Sequence, residues 1–360
     1  MTSRRSTPEP RVRPLLVRPG AGFRCEGDGL CCTDLHALGP MTRSETVAMR
    51  RLIPGSVHYH TDVEAPCMRP GPDGRCAQLR DGRCGVHARY GAEHKPVGCR
   101  RFPYGLLSTP LGGRVTTEHR CPCRTLGKRP PIDLAEAEAS LRDQAGRLES
   151  DEVAPRSIAL SASRRVRFER YAELEAGLLT RLERGERPER VLDAKPFPVL
   201  GKRSWPSFAA ELLTLDDRTR GGVALAWFAD ALFAGSSGHR PPRRERPWRD
   251  AFERGARRPG PRRTGEQVLA DWLGDELWMM RWLPWRCSFD VARAELATRL
   301  AAARTLSARL RRQGVREDQA AAEGVMAAEL CASCELWGEA VRAIAADPSP
   351  ASELELSRPH

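Results

Sequence analysis

The sequence predicts a mainly α protein in two parts: a loop-rich, metal-organised cysteine domain, then an α-helical domain. Three observations carry that prediction. Nine of the twelve cysteines fall between Cys25 and Cys123. Across the same region Gly and Pro recur every few residues, leaving little sustained helical period. From about residue 131 onward, apolar residues instead repeat at spacings of three and four, the signature of amphipathic helices. A chain of 360 residues is long enough for a substantial core and two domains.

In chain order, residues 1–22 read as a basic, proline-broken arm without periodicity, expected to be disordered. The arm has no apolar stretch of signal-peptide length. No run of about 18 apolar residues follows it; the longest approach, residues 221–235, carries Asp230. The expectation is a soluble, cytoplasmic chain with reduced thiols and no membrane contact. Residues 23–130 form the cysteine region, with short helices expected over 42–53, where Thr42 or Ser44 can cap, and over 85–91. Residues 131–350 form the helical region. Residues 132–148 put Leu134, Ala137, Leu141, Ala145 and Leu148 on one face behind Asp133, and 168–186 repeats this with Tyr171, Leu174, Leu178 and Leu182. Further helices are expected over 207–216, 221–234, 265–283, 288–312 and 317–346. No strand-rich stretch breaks the series. Residues 236–263 hold ten arginines, three acids and five prolines and read as an exposed loop.

Net charge is +12, yet only Lys95, Lys128, Lys195 and Lys202 are lysines among 59 basic residues. So strong an arginine bias reflects coding composition as much as function, and the excess charge favours acidic partners in general. Nucleic acid is not expected: the 236–263 stretch has only Trp248 and Phe252 among its arginines and no reader motif.

The cysteines run Cys25, Cys31, Cys32, Cys67, Cys76, Cys84, Cys99, Cys121 and Cys123. In a reducing compartment, and with an odd count, metal ligation is favoured over disulfides. The spacing is not that of a zinc ribbon or a ferredoxin. Four thiolates suffice for either tetrahedral Zn²⁺ or a [4Fe–4S] cluster, and nine allow one site with spares or two sites. Adjacent Cys31 and Cys32 would face opposite ways on a strand, but both can reach one point from a turn, to which Gly27 and Gly29 give a flexible approach. Cys331 and Cys334 fall at i and i+3 on one expected helix face and read with Cys287 as core thiols. Trp278, Trp282 and Trp285 read as one face of a bundle core, with a ligand groove as the other reading.

These residues carry a resemblance. The segments FRCEGDGLCC, DGRCAQLRDGRCGVHARYG and KPVGCRRFPYG resemble the YkgJ-type cysteine-cluster family, a zinc- or iron-chelating domain. The matching positions are Cys25, Cys31, Cys32, Cys76, Leu79, Gly82, Cys84, Val86, His87, Pro96, Cys99, Arg100, Phe102 and Pro103. Beyond them, RVTTEHRCPC is similar to the flagellin lysine-N-methylase (FliB-like) branch, although Tyr104 stands where that branch has arginine. The resemblance implies Cys25, Cys31, Cys32, Cys76, Cys84 and Cys99 as essential thiolates, with Cys121 and Cys123 accessory. It also implies an iron–sulfur cluster or zinc, and through the FliB-like branch S-adenosylmethionine, a protein substrate and lysine methyl transfer. The alternative is a structural zinc module for protein interaction, without activity. Cys67 reads as ligand or plain buried thiol, His87 and His94 as ligands or loop residues, and Arg100 and Arg101 as substrate donors or counter-charges to thiolate. No G-x-G-x-x-G after a strand, Walker loop or G-x-S-x-G elbow is present.

Overall fold

The computed structural model describes residues 10–346 except 27–28, 62, 81–82, 144, 216 and 239–241. Residues 1–9 of the expected arm, Gly27, Gly82 and the chain from 347 onward lie outside the described residues. The protein is mainly α, with fourteen α-helices among the described residues. The helix Phe289–Arg312 runs through the middle, buried along most of its length. Ser288 opens it by accepting from the Val291 N–H. Against it pack Arg220–Ser237 and Glu317–Ala332, and Gly265–Met279 packs in turn on Glu317–Ala332. The contacts are made by alanine and glycine, so backbones approach closely: a Cβ on Gly324 would collide with the Ala303 carbonyl. Wedged among these helices, Arg299 is fully buried and bonded by Glu276 and Glu295 at 2.8 Å each.

Several expected boundaries move, each for a local reason. The 132–148 helix ends at Leu141, where Asp143 and Arg147 close a turn around Gly146, which has positive φ. The 317–346 helix breaks at Ser333 and restarts at Glu335, so Cys331 and Cys334 do not share a helix face. Gly265–Met279 stops before Met280, which is left-handed, so Trp278, Trp282 and Trp285 do not form one stripe either. A short hairpin, Ser157–Ala159 with Arg165–Arg167, interrupts the region expected to be wholly helical. The 236–263 stretch is not an exposed loop throughout. It holds the helix Arg249–Arg257, fitted between Pro247 and Pro259, with Trp248, Ala251, Phe252 and Ala256 buried.

A four-stranded sheet runs in the order Leu15–Val17, Gly112–Thr117, Tyr104–Thr109, Glu152–Val153. Residues 10–22 are therefore not disordered as described: Leu15–Val17 pairs in parallel with Gly113–Val115. The bare backbone of Gly113 permits this crossing, since a Cβ there would overlap the Val12 carbonyl. The sheet draws on the arm, the cysteine region and the helical region alike.

Candidate metal centre

Cys31 and Cys32 sit in a single 3₁₀ turn, Leu30–Cys32, entered through left-handed Gly29 and closed by Cys32 N–H to the Gly29 carbonyl at 3.1 Å. Consecutive side chains of such a turn diverge by about a third of a revolution. The two thiols still hydrogen-bond to each other. From this junction the other cysteines separate into two groups.

On one side, Cys31 interacts with Cys25 and Cys123, and Cys121 hydrogen-bonds to Cys123 and also feels Cys31. Cys121 and Cys123 are buried in an apolar cluster with Ala21, Phe23 and Tyr104. Pro122, at the start of the short Pro122–Thr125 helix, fixes the turn between them. The Glu26 N–H donates to Cys123 Sγ at 3.2 Å.

On the other side stand Cys32, Cys76, Cys84 and Cys99. Cys76 feels Cys32 and Cys84, and Cys99 feels Cys32, Cys76 and Cys84. Cys76, Cys84 and Cys99 pack on a second apolar cluster containing Leu38, Met41, Met68 and Val86. The Cys76 N–H donates to the Cys32 carbonyl at 2.8 Å, and the Gln78 N–H to Cys76 Sγ at 3.5 Å. Gly39, with positive φ, passes so close that a Cβ on it would overlap Cys99 Sγ.

The protonation pattern follows from this crowding. The Cys31 thiol is pushed well up by its hydrogen bond to Cys32 and by burial. Cys32 is lowered to about 7 by accepting that bond, against burial and with help from Lys95. Burial raises Cys76 to about 11 and lifts Cys99 far above the usual thiol range. Cys121 is raised by its bond to Cys123 and by burial. Cys31 therefore holds its proton on the bond to Cys32, and Cys32 is the first of the pair to ionise.

All twelve cysteines are thiols rather than disulfide halves. Among the described residues, no group of three or more His, Cys, Asp or Glu side chains is placed to hold a metal ion as it stands. The closest thiols are turned toward one another in pairs, Cys31 to Cys32 and Cys121 to Cys123. The donor chemistry nonetheless suits a thiophilic metal: eight thiols sort four and four, five of them packed on apolar clusters, and backbone N–H groups reach two of the sulfurs.

The remaining sequence candidates lie elsewhere. Cys67 is fully buried in the Val57–His60/Ala65–Met68 hairpin, its thiol raised by burial alone. Cys287 and Cys331 are buried in the helical core. His87 and His94 are exposed. Arg100 and Arg101 turn away toward the Arg142 carbonyl and Asp151. The cation acting on Cys32 and Cys99 is Lys95, which spacing alone did not mark. His36 was also missed: it is stacked on Phe102 at 4.9 Å and bonded to the Cys31 backbone, and burial and Arg120 lower it to about 4.

A cleft of about 720 Å³ opens beside this centre, between the Cys99 helix Val97–Arg101, the strand Tyr104–Thr109 and the turn from Arg281 to Trp285. Glu45, Glu118, Asp151 and Glu152 line it against Arg101 and Arg281, with Phe102 and Trp285 as aromatic walls. Burial raises Asp151 despite Arg101, and burial and Asp151 together raise Glu152. Behind the lining, buried Glu329 accepts from Arg281 at 2.8 Å through Oε1, while its Oε2 has no partner among the described residues. Burial, incompletely offset by Arg281, pushes Glu329 up to about 7. Among the described residues no helix is long and apolar enough to cross a membrane. No family model, no curated protein and no solved structure matches the chain.

Proposed function

We propose that the chain is a metal-binding protein with two thiolate centres, one on Cys25, Cys31, Cys121 and Cys123 and one on Cys32, Cys76, Cys84 and Cys99. The observation carrying this reading is the division of eight thiols about the Cys31–Cys32 pair, each half with its own apolar wall. Four thiolates per half match the needs of Zn²⁺ or a [4Fe–4S] cluster. Loading must displace the protons that the paired thiols now share, so affinity rises with pH and binding contributes to folding. In this reading the region 23–130 is organised by its ligands. Anaerobic purification with metal and sulfide analysis tests it. A brown protein absorbing near 400 nm, with iron and sulfide in equal amounts, identifies clusters. A colourless protein with tightly held zinc identifies structural sites and favours the interaction-module alternative. A protein without stoichiometric metal refutes the proposal.

A second reading, a protein lysine N-methyltransferase, draws on the FliB-like resemblance and on the acidic cleft beside Cys99. Both the substrate ammonium and the sulfonium of S-adenosylmethionine are cations, which suit a cleft with excess carboxylate and aromatic walls. S-adenosylmethionine would supply the methyl group; the chain's contribution would be to bind and orient the amine through Glu118 and Glu152. Labelled methyl transfer to a lysine-containing peptide, abolished in Glu118→Gln, tests this reading. Absence of both S-adenosylmethionine binding and transfer in metal-replete protein removes it.

A further inference from the structure

On the helical side, a second cleft of about 880 Å³ lies between residues 243–257 and the loop joining Phe289–Arg312 to Glu317–Ala332. Six arginines line it: Arg243, Arg244, Arg246, Arg249, Arg257 and Arg316. Its only lining carboxylates among the described residues are Glu245 and Glu253, and no aromatic side chain lines it.

The chain builds this concentration of charge deliberately. Residues 242–246 lack regular structure, and alternate side chains part company there. Arg244 turns inward to buried Asp230 at 2.8 Å, and Arg246 to buried Glu323 at 2.6 and 2.8 Å. Trp248 Nε1 adds a bond to the same Glu323 at 2.9 Å. These anchors fix the backbone and leave Arg243 exposed, with no partner among the described residues. Arg249 and Arg257, one turn to either side on their helix, draw on the single carboxylate of Glu253 at 2.5 and 3.6 Å. Across the cleft Arg316 is held by Asp318 at 2.7 and 2.8 Å. With Arg309, which shares Asp230, seven arginines stand against Asp230, Glu245, Glu253, Asp318 and Glu323. Charge is left unmatched in a concave site whose side chains are already held in place.

We propose that this cleft binds a linear polyphosphate group, either free or as the phosphate chain of a nucleotide. Guanidinium groups match phosphate oxygens in geometry and charge. Without an aromatic platform the site reads the phosphates and not a base. The proposal is independent of the cysteine reading, because no thiol lines the cleft.

The test is calorimetric titration of tripolyphosphate, and separately of ATP, into the full chain at low and moderate salt. Both should bind with similar affinity, more weakly at higher salt. The double variant Arg243→Ala/Arg257→Ala should bind at least tenfold more weakly, with an unchanged circular dichroism spectrum because both side chains are exposed. Arg165→Ala, an exposed arginine on the 157–167 hairpin, should bind as the parent does. Tripolyphosphate that fails to bind, ATP binding without it, or equal losses in Arg165→Ala and the double variant would each overturn the proposal.

Discussion

Asp275→Asn should be among the most damaging single changes in the molecule. Its carboxylate is 2 % exposed and accepts four bonds: from Arg18 Nε at 2.6 Å, Arg124 Nη2 at 2.5 Å, His119 Nε2 at 2.8 Å and Thr117 Oγ1 at 3.1 Å. Neighbouring Asp271 is shared by Arg18, Arg124 and Arg263. Removing one carboxylate leaves three arginines around the other, and the new amide N–H₂ faces donors. Breaking a buried pair from one side costs about 3–5 kcal/mol, a large share of the 5–15 kcal/mol typical of whole domains. The network also joins the strand Leu15–Val17, the Cys121–Arg124 turn and the helix Gly265–Met279, so the loss should be felt at the metal centre. Burial opposes ionisation of Asp275, but Arg124 and Arg18 prevail and hold it far below the carboxylate range. Its stabilising effect is therefore complete at neutral pH and fades only as pH falls through strongly acid values. Urea unfolding followed by circular dichroism measures the cost, and thiol labelling of Cys121 and Cys123 against Cys331 measures its reach. As a control, Glu138→Gln breaks the more exposed pairs with Arg13 and Arg142 and should leave the urea midpoint close to that of the parent. If Asp275→Asn stays within about 1 kcal/mol of the parent, the network does not carry the weight assigned to it.

Glu329 carries the opposite sign. Raised to about 7 by burial, it binds a proton in the folded state that the unfolded chain has released, so stability falls as pH rises from about 4.5 to about 7. Glu329→Gln should flatten that slope, removing a difference on the order of 2–3 kcal/mol between the unfolding free energies that urea titration gives at pH 5 and pH 8; parallel pH profiles would contradict it. His36, lowered to about 4 chiefly by burial, must charge on unfolding in acid, so its contribution is lost as pH falls from about 6.5 toward 4. His36→Phe keeps the stack on Phe102 and should abolish acid lability in that window; a thermal-melt series whose pH dependence is unchanged would count against this. Phe252→Ala should destabilise by about 3–5 kcal/mol, because Phe252 is fully buried under the arginine-rich segment. A change below about 1 kcal/mol would restore the view of that segment as a detached loop.

Many of the helices were legible because their signals are local. The Thr42 capping box, the Asp133 cap and the spacing of Tyr171, Leu178 and Leu182 can each be read within a turn or two of chain. The helix Arg249–Arg257 was hidden because its buried face is Ala251, Phe252, Gly255 and Ala256, which gives a weak apolar signal among arginines. Leu15–Val17 reads as part of an unstructured arm until Gly113, nearly a hundred residues later, offers it a bare edge. The cysteines were visible individually, but their grouping was not. Cys31 lies with Cys25 and Cys123, and Cys32 with Cys99, because the Leu30–Cys32 turn sends adjacent residues to different neighbours, and linear spacing carries no record of that. Lys95 and His36 each lie four residues from a cysteine, Cys99 and Cys32, but nothing in that spacing marked them as neighbours of the thiols.

The division of the thiols into two centres is tested most directly by metal stoichiometry in single-site variants. Cys99→Ser and Cys123→Ser should be purified anaerobically beside the parent, and zinc, iron and sulfide measured per folded chain. Each variant is predicted to lose the metal of its own centre and keep the other, so that each holds about half the parental content. Complete loss of metal in both variants would mean one shared site, and parental content in either would remove that cysteine from the ligand set.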